Sequence, residues 1–170
     1  VQAIGAMAYG TESVPKVSKI FGPGNQFVMA AKQQVSLHEV AIDMPAGPSE
    51  VAVVADDTAN PVFVAADLLS QAEHGADSQS ILITISEAMA EKVNAEVERQ
   101  LALLPRREMT EKSLQYSKIV IVKDLEEALK MTNEYAPEHL ILAVEDYLSF
   151  GDRIVNAGSV FLGNYSCESA

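Results

Sequence analysis

Short apolar runs alternate with longer amphipathic stretches through most of this chain. Five runs are apolar on both faces and short enough to be single strands: 50–55, 80–85, 118–122, 139–144 and 159–162. Between them, apolar residues recur at helical spacing over 60–74, 87–103, 125–135 and 146–156, the last capped by Gly158. Doubly buried strands that alternate with such helices form parallel sheets covered on both sides. The pattern therefore predicts the α/β class, with a mostly parallel sheet covered by helices.

The first 45 residues follow a different pattern. They predict a helix over 1–9, a short strand at 17–21 and a second helix at 26–36, and they leave 38–44 as an ambiguous segment for which a strand is one interpretation. The Pro45-Ala46-Gly47-Pro48 sequence then breaks whatever precedes it. We therefore divide the chain into segments 1–45 and 46–170.

The helix predicted from Asn60 carries a row of polar residues. An asparagine followed by proline is a typical helix start, because the side chain accepts free N–H groups and proline lacks one. Apolar residues indicate burial on most of its circumference: Val62, Val64, Ala65, Ala66, Leu68 and Leu69. Asp67, Gln71 and His74, spaced i, i+4 and i+7, nevertheless share one side. Buried polar groups need partners, so we ask what these three residues contact.

Gln71 and His74 lie one helical turn apart, where both side chains can reach one metal ion. Histidine is a common zinc ligand and glutamine an uncommon one. The same spacing also fits a core histidine that is hydrogen-bonded to Asp67 or Glu73. Spacing alone leaves both interpretations open.

Glu138 and His139 place a carboxylate beside an imidazole just before a predicted strand. Because Pro137 disfavours helix at Ala136, the preceding helix must end and the pair emerges on a connection. Such a pair can transfer protons, with the glutamate orienting a water molecule. An ordinary solvated loop pair is the alternative.

Parallel topology brings these motifs to one edge of the sheet. A covering helix runs antiparallel to its strand, so the 60–74 helix ends where the strands begin. His74 should therefore lie near Ser49, Glu50 and the start of the 139–144 strand. Ligands of α/β sheets usually bind at the opposite, carboxyl edge, and the predicted site departs from that rule.

A glycine-rich connection precedes the 26–36 helix. Gly22-Pro23-Gly24-Asn25 could hold an anion such as a pyrophosphate at the helix N-terminus. It lacks the G-x-G-x-x-G pattern of dinucleotide-binding folds, so the chain is Rossmann-like without that fingerprint, and a simple tight turn remains possible.

Charge and composition narrow the range of functions. A net charge of −12, with 12 basic residues that form no dense cluster, argues against nucleic-acid and anionic-membrane partners. No run approaches the roughly 20 apolar residues of a membrane span. The one cysteine, Cys167, fits a reducing compartment. We expect a cytoplasmic protein that acts on a small molecule.

Five ordered blocks resemble the histidinol dehydrogenase family and together cover nearly the whole chain: Tyr9–Asn25, Ile42–Glu50, Asp67–Gln79, Asn133–Leu140 and Asn156–Ser169. The resemblance implies a zinc-dependent enzyme, homodimeric at full length, that oxidises L-histidinol through an aldehyde to L-histidine with two molecules of NAD.

The resemblance also implies roles for individual residues. Glu138 would activate a water molecule, and His139 would be the general base and a substrate contact. Zinc would be bound by Gln71 and His74, which also face the substrate.

Three further residues follow from the same resemblance. Ser49 would contact the substrate, whereas Gln2 and Asn25 would contact NAD. These assignments place the NAD-binding side in 1–45 and the zinc and substrate residues in 46–170.

The chain ends at Ala170, just before the Gly-Asp-Tyr that supplies another zinc ligand in this family, and a later histidine ligand is also absent. We therefore expect an internal fragment that is inactive alone. The alternatives are an α/β piece that only folds or associates, and an α/β metal hydrolase with a Glu-His site.

Overall fold

The computed structural model describes residues 1–43 and 49–166. The chain forms two compact units, 1–47 and 48–170. The break predicted at 45–48, Cys167 and the end of the last family-like block lie outside the described residues. None of the helices in the described ranges combines the length and apolar composition needed to span a bilayer.

The first unit is a small helix pair with a two-stranded parallel sheet. Its elements are α1 Gln2–Tyr9, β1 Lys19–Ile20, α2 Gln26–Ser36 and β2 Ala41–Ile42. Its core consists of five buried apolar residues, Ile4, Ala8, Ile20, Val35 and Val40. Both predicted helices are confirmed, whereas the 17–21 and 38–44 segments each form only two strand residues.

The second unit is a parallel α/β sheet. Its elements are β3 Glu50–Ala55, α3 Pro61–Ala72, β4 Gln79–Thr84, α4 Glu87–Leu101, α5 Arg107–Leu114, β5 Lys118–Ile121, α6 Leu125–Tyr135, β6 His139–Ala143, α7 Tyr147–Gly151 and β7 Ser159–Leu162. The strand order is β5-β4-β3-β6-β7, and every pair is parallel. The predicted α/β class is confirmed.

The central strand β3 is buried on both faces. Val51, Val53 and Ala55 pack into the core beneath α3 and α4, whereas Ala52 and Val54 pack into the core beneath α6 and α7. This two-sided burial explains why the strand sequences are continuously apolar instead of alternating.

Polar caps set where the helices begin. The Asn60 side chain accepts the Val62 N–H at 3.0 Å, and Pro61 occupies the first turn, as predicted. Ser86 and Asp124 cap α4 and α6 in the same way. Short side chains that accept free N–H groups thus mark the helix starts in the sequence.

Three details differ from the sequence pattern. The predicted 146–156 helix spans only Tyr147–Gly151, so Gly158 is not its cap, and the segment after Pro105, which the pattern leaves unassigned, contains α5. On α3, Val62 is 40 % exposed and Ala66 is also exposed, because this helix covers the sheet with one side only. The expected burial of α3 on most of its circumference is therefore wrong.

Candidate active site at the amino edge of the sheet

The strand order makes β3 and β6 neighbours at the edge where both begin. Val51 pairs with His139 in the parallel register. The residues just before them, Glu50 and Glu138, therefore lie side by side although 88 positions of the chain separate them. Parallel strands start at the same edge of a sheet. The register therefore sets Ser49 and Glu50 beside Glu138 and His139.

Direct contacts join these residues. The Ser49 hydroxyl donates a hydrogen bond of 2.9 Å to Glu138 Oε2. The Glu138 backbone N–H donates to Glu50 Oε2 at 3.3 Å. The structure thus brings together the serine, the two carboxylates and the histidine expected at this edge.

Gly158 allows β7 to approach the backbone of Glu138 closely. The Gly158 N–H donates to the Pro137 carbonyl at 3.0 Å, and the Ser159 N–H donates to the Glu138 carbonyl at 2.8 Å. A Cβ atom at Gly158 would lie 2.5 Å from the Glu138 carbonyl oxygen. Gly158 therefore belongs to the packing of this site, which the sequence pattern did not indicate.

The turn into the site has an unusual backbone conformation. Ala136 adopts φ 54° and ψ 57°, and among the described residues it is the one non-glycine residue with positive φ. This left-handed conformation costs an L-residue about 1–2 kcal/mol. Such strain persists where the surrounding contacts determine the backbone, often at functional sites.

The His139 imidazole lies between the sheet and solvent. The side chain is half-buried, and its ring packs edge-on against Phe161 of β7, with the ring centroids 6.2 Å apart. This contact limits how the imidazole can turn.

Gln71 is fully buried and is the next-to-last residue of α3. Both polar atoms of its side-chain amide lack hydrogen-bond partners among the described residues. A buried unsatisfied polar group costs about 1–3 kcal/mol. A ligand that uses the amide oxygen would remove part of this cost.

His74 lies in the turn after α3, with its N–H bonded to the Gln71 carbonyl at 3.1 Å. Its side chain is exposed. The turn leads to the start of β4, so His74 also lies at the amino edge. The third member of the polar row, Asp67, is half-buried and lines a separate cavity of about 250 Å³ with Phe63 and Tyr165.

The two predicted zinc ligands differ in their surroundings, but each carries a donor atom of a kind that zinc accepts. Gln71 offers a buried amide oxygen, and His74 offers an accessible imidazole one turn away. Within 1–43 and 49–166, no three His, Cys, Asp or Glu side chains gather around a common point. Among the described residues, the predicted zinc site therefore consists of these two side chains.

Tyr135 and Gln79 extend the polar contacts along the edge. The Tyr135 hydroxyl donates to Gln79 Oε1 at 2.7 Å, and Gln79 pairs with Glu50 in the β3–β4 register. Burial, together with the negative charge of Glu50, raises the pKa of Tyr135 to about 12. Sequence reasoning did not select these two residues, although Tyr135 ends a helix and Gln79 starts a strand at the same edge.

The two residues expected to contact NAD lie in the first unit. Gln2 is exposed and opens α1. Asn25 is exposed and caps α2, where its Oδ1 accepts the N–H groups of Phe27 and Val28, each at 3.1 Å. Their remaining amide groups can reach a ligand, which is compatible with the expected role.

A buried ion pair holds the glycine-rich loop before Asn25. Lys32, which is 1 % exposed, pairs with Asp43 and donates to the Gly22 carbonyl at 2.9 Å. Asp43 in turn accepts the Gly22 N–H at 2.8 Å. The hydrogen bond from Lys32, followed by that from Gly22, holds the pKa of Asp43 below its usual value.

Comparisons with known proteins agree on one family. The family model for histidinol dehydrogenase matches residues 1–170. The chain is 70 % identical over 170 residues to histidinol dehydrogenase of Bacteroides thetaiotaomicron, covering 100 % of this chain and 40 % of that protein. It is 59 % identical over 168 residues to the Haemophilus influenzae enzyme, covering 99 % and 39 %. The chain thus spans about 40 % of the length of these relatives.

Solved structures agree as well. The crystal structure of histidinol dehydrogenase from Elizabethkingia anophelis matches with a TM-score of 0.96 and 58 % identity, covering 99 % of this chain and 39 % of that one. The NADP-dependent glyceraldehyde-3-phosphate dehydrogenase from Bacillus halodurans matches with a TM-score of 0.61 at 14 % identity, over 100 % of this chain and 48 % of that one. The second likeness shows a shared fold only.

Replacing Gly158 by alanine should disturb the site, because the new methyl group would press on the Glu138 carbonyl. We expect Gly158→Ala to lower the free energy of unfolding by about 1–3 kcal/mol, measured by urea denaturation. Gly5→Ala is the control, since a Cβ there meets nothing within 4 Å. Equal effects of the two substitutions would contradict the close approach at Gly158.

Replacing Gln71 by methionine should stabilise the metal-free chain. The substitution keeps the side-chain length and removes both unpaired polar atoms, so we expect a gain of about 1–3 kcal/mol in unfolding free energy in the presence of a chelator. Gln34→Met on exposed α2 surface should change little. A loss of stability on Gln71→Met would show that the amide has partners.

Tyr135 should make stability depend on pH in the alkaline range. Because its folded pKa of about 12 exceeds the ordinary value of 10.0, the unfolded chain ionises first. The stabilisation should be complete below pH 10 and decline as the pH rises towards 12. We expect the stability difference between the wild type and Tyr135→Phe to shrink across that interval, and a constant difference would contradict the raised pKa.

Proposed function

This chain belongs to the histidinol dehydrogenase family, and from that membership we propose that it carries the Glu138–His139 catalytic pair of an enzyme that oxidises L-histidinol through L-histidinaldehyde to L-histidine. The reaction belongs to histidine biosynthesis. The proposal describes a full-length protein, since the curated relatives are about two and a half times as long as the chain and their activity belongs to the whole molecule.

The observation that best supports this proposal is the hydrogen bond from Ser49 to Glu138. It joins the proposed substrate-binding residue to the proposed catalytic carboxylate across 89 positions of the chain. A solvated loop pair would have no need of such a contact. The bond holds one carboxylate oxygen of Glu138, which is otherwise exposed.

His139 is the proposed general base. It removes the proton from the substrate hydroxyl as the hydride leaves the carbon that bears this hydroxyl. Imidazole is the commonest side chain for such a proton transfer. Packing against Phe161 restricts the orientation of the ring. Positioned bases of this kind contribute about 10²–10⁴ to the rate.

Glu138 is proposed to act in the second oxidation. Its carboxylate accepts a proton from the water molecule that adds to the aldehyde carbon, which gives the anion of the hydrate, and the C–H bond of that anion can release the second hydride. Ser49 holds Oε2, so the remaining oxygen is the one that can contact water. Ser49 would also accept a hydrogen bond from a polar group of the substrate, since its one hydroxyl proton is donated to Glu138.

Gln71 and His74 are proposed to bind zinc and to face the substrate. A zinc ion bound there would act as a template that holds the imidazole and amine nitrogens of the amino alcohol, more than as a source of hydroxide. The buried amide of Gln71, which has no hydrogen-bond partner among residues 1–43 and 49–166, supports this assignment.

Gln2 and Asn25 are proposed to contact NAD, of which two molecules would accept the two hydrides in turn. We also propose that the full-length protein is a cytoplasmic homodimer that binds neither nucleic acid nor membranes. The net charge of −12 supports the last point.

The test uses a graft in which this chain replaces the aligned 170 residues of the Bacteroides thetaiotaomicron relative. With L-histidinol, NAD and zinc, we expect the graft to form NADH. His139→Asn should lower kcat by about 10²–10⁴. Glu138→Gln should slow oxidation of the aldehyde more than oxidation of the alcohol, measured with each as substrate.

Glu134→Gln is the matched control, because this exposed glutamate lies four residues earlier, in α6, and pairs with the surface residue Lys130 at 3.8 Å. Normal turnover of His139→Asn would remove the general-base assignment. A Glu-His metal hydrolase, the competing enzyme class, predicts no dependence on a nicotinamide cofactor. A chain that only folds or associates predicts an inactive graft.

A further inference from the structure

Glu50 faces the proposed active site without a role in the reaction described above. It is the first residue of β3 and is half-buried. Its Oε2 atom accepts the backbone N–H of Glu138 at 3.3 Å. A carboxylate acceptor makes such a bond stronger than one to a neutral group.

The two peptide groups around Glu138 are bonded from both neighbouring strands. On one side, the N–H groups of Gly158, just before β7, and of Ser159, its first residue, donate to the Pro137 and Glu138 carbonyls. On the other side the Glu50 carboxylate holds the Glu138 N–H. With its peptides held in this way, Glu138 can move its carboxylate only by side-chain rotation, which the Ser49 hydrogen bond restricts.

The strain at Ala136 makes the contact from Glu50 important. A left-handed alanine tends to relax unless its surroundings prevent it. On its C-terminal side, the first N–H that could swing during such relaxation is that of Glu138, because Pro137 has none. The Glu50 carboxylate is the group that holds this N–H.

We propose that Glu50 is a positioning residue that fixes the direction of the Glu138 carboxylate by holding its backbone N–H. The inference rests on the proposed function, because it assigns Glu50 to the same reaction. Glu50 itself contacts neither the substrate nor the cofactor in this scheme.

Two substitutions at Glu50 separate its hydrogen bond from its charge. In the graft, Glu50→Ala removes the acceptor, and we expect kcat for aldehyde oxidation to fall about tenfold while KM changes less than twofold. Glu50→Gln keeps an oxygen acceptor, and we expect it to retain kcat within about threefold. Glu134→Ala, at an exposed position in α6 four residues before Glu138, should leave kcat and KM unchanged.

A double substitution tests whether Glu50 acts through Glu138. If it does, Glu50→Ala should have no further effect on kcat in a Glu138→Gln background, because the group being positioned is already gone. Additive losses would overturn the proposal, as would a Glu50→Ala variant with normal kcat. The proposed function has a different failing result, which is a Glu138→Gln variant that oxidises both substrates at the normal rate.

Hydrogen exchange supplies a readout that does not need activity. By mass spectrometry of the peptide that contains Glu138, we expect faster exchange of one amide in Glu50→Ala and wild-type exchange in Glu50→Gln. Unchanged exchange in Glu50→Ala would show that the bond does not hold this N–H and would overturn the proposal even in an inactive graft.

Discussion

The parallel pairing of β3 with β6 is the constraint on which the rest of the site depends. It places the strand that starts at Glu50 beside the strand that starts at His139, with Val51 opposite His139. A parallel register advances both strands from one edge, so residues just before each strand must meet. A shift of one residue would turn His139 to the other face of the sheet and break the contact between Ser49 and Glu138.

The helix that follows β3 carries a buried polar side chain. The α3 helix crosses from the end of β3 to the start of β4, and its buried side packs against both strands. Gln71 lies on that buried side and has no partner for its amide among the described residues. Burying this amide without a partner costs about 1–3 kcal/mol, a cost that the apolar residues around it do not carry.

Close backbone contact is the second means by which the fold organises this edge. Gly158 lets β7 approach Glu138 without the steric conflict that any side chain would create. Ala136 ends α6 as a left-handed C-cap, with its N–H bonded to the Thr132 carbonyl. Together these features deliver Glu138 onto a short connection whose peptide groups are held by neighbouring strands.

Local features of this fold were predictable from the sequence, because they depend on residues close together in the chain. The doubly apolar strands, the Asn60 cap and the break before Glu138 each follow from short-range sterics and hydrogen bonding. Parallel topology even predicted that Ser49 and Glu50 would meet the Glu138–His139 pair. Tertiary structure alone decided the strand order, the exposed side of α3, the burial of the Gln71 amide and the use of Gly158 as a contact instead of a helix cap. These depend on which distant segments pack together, and that choice is made by the whole core and not by any local pattern.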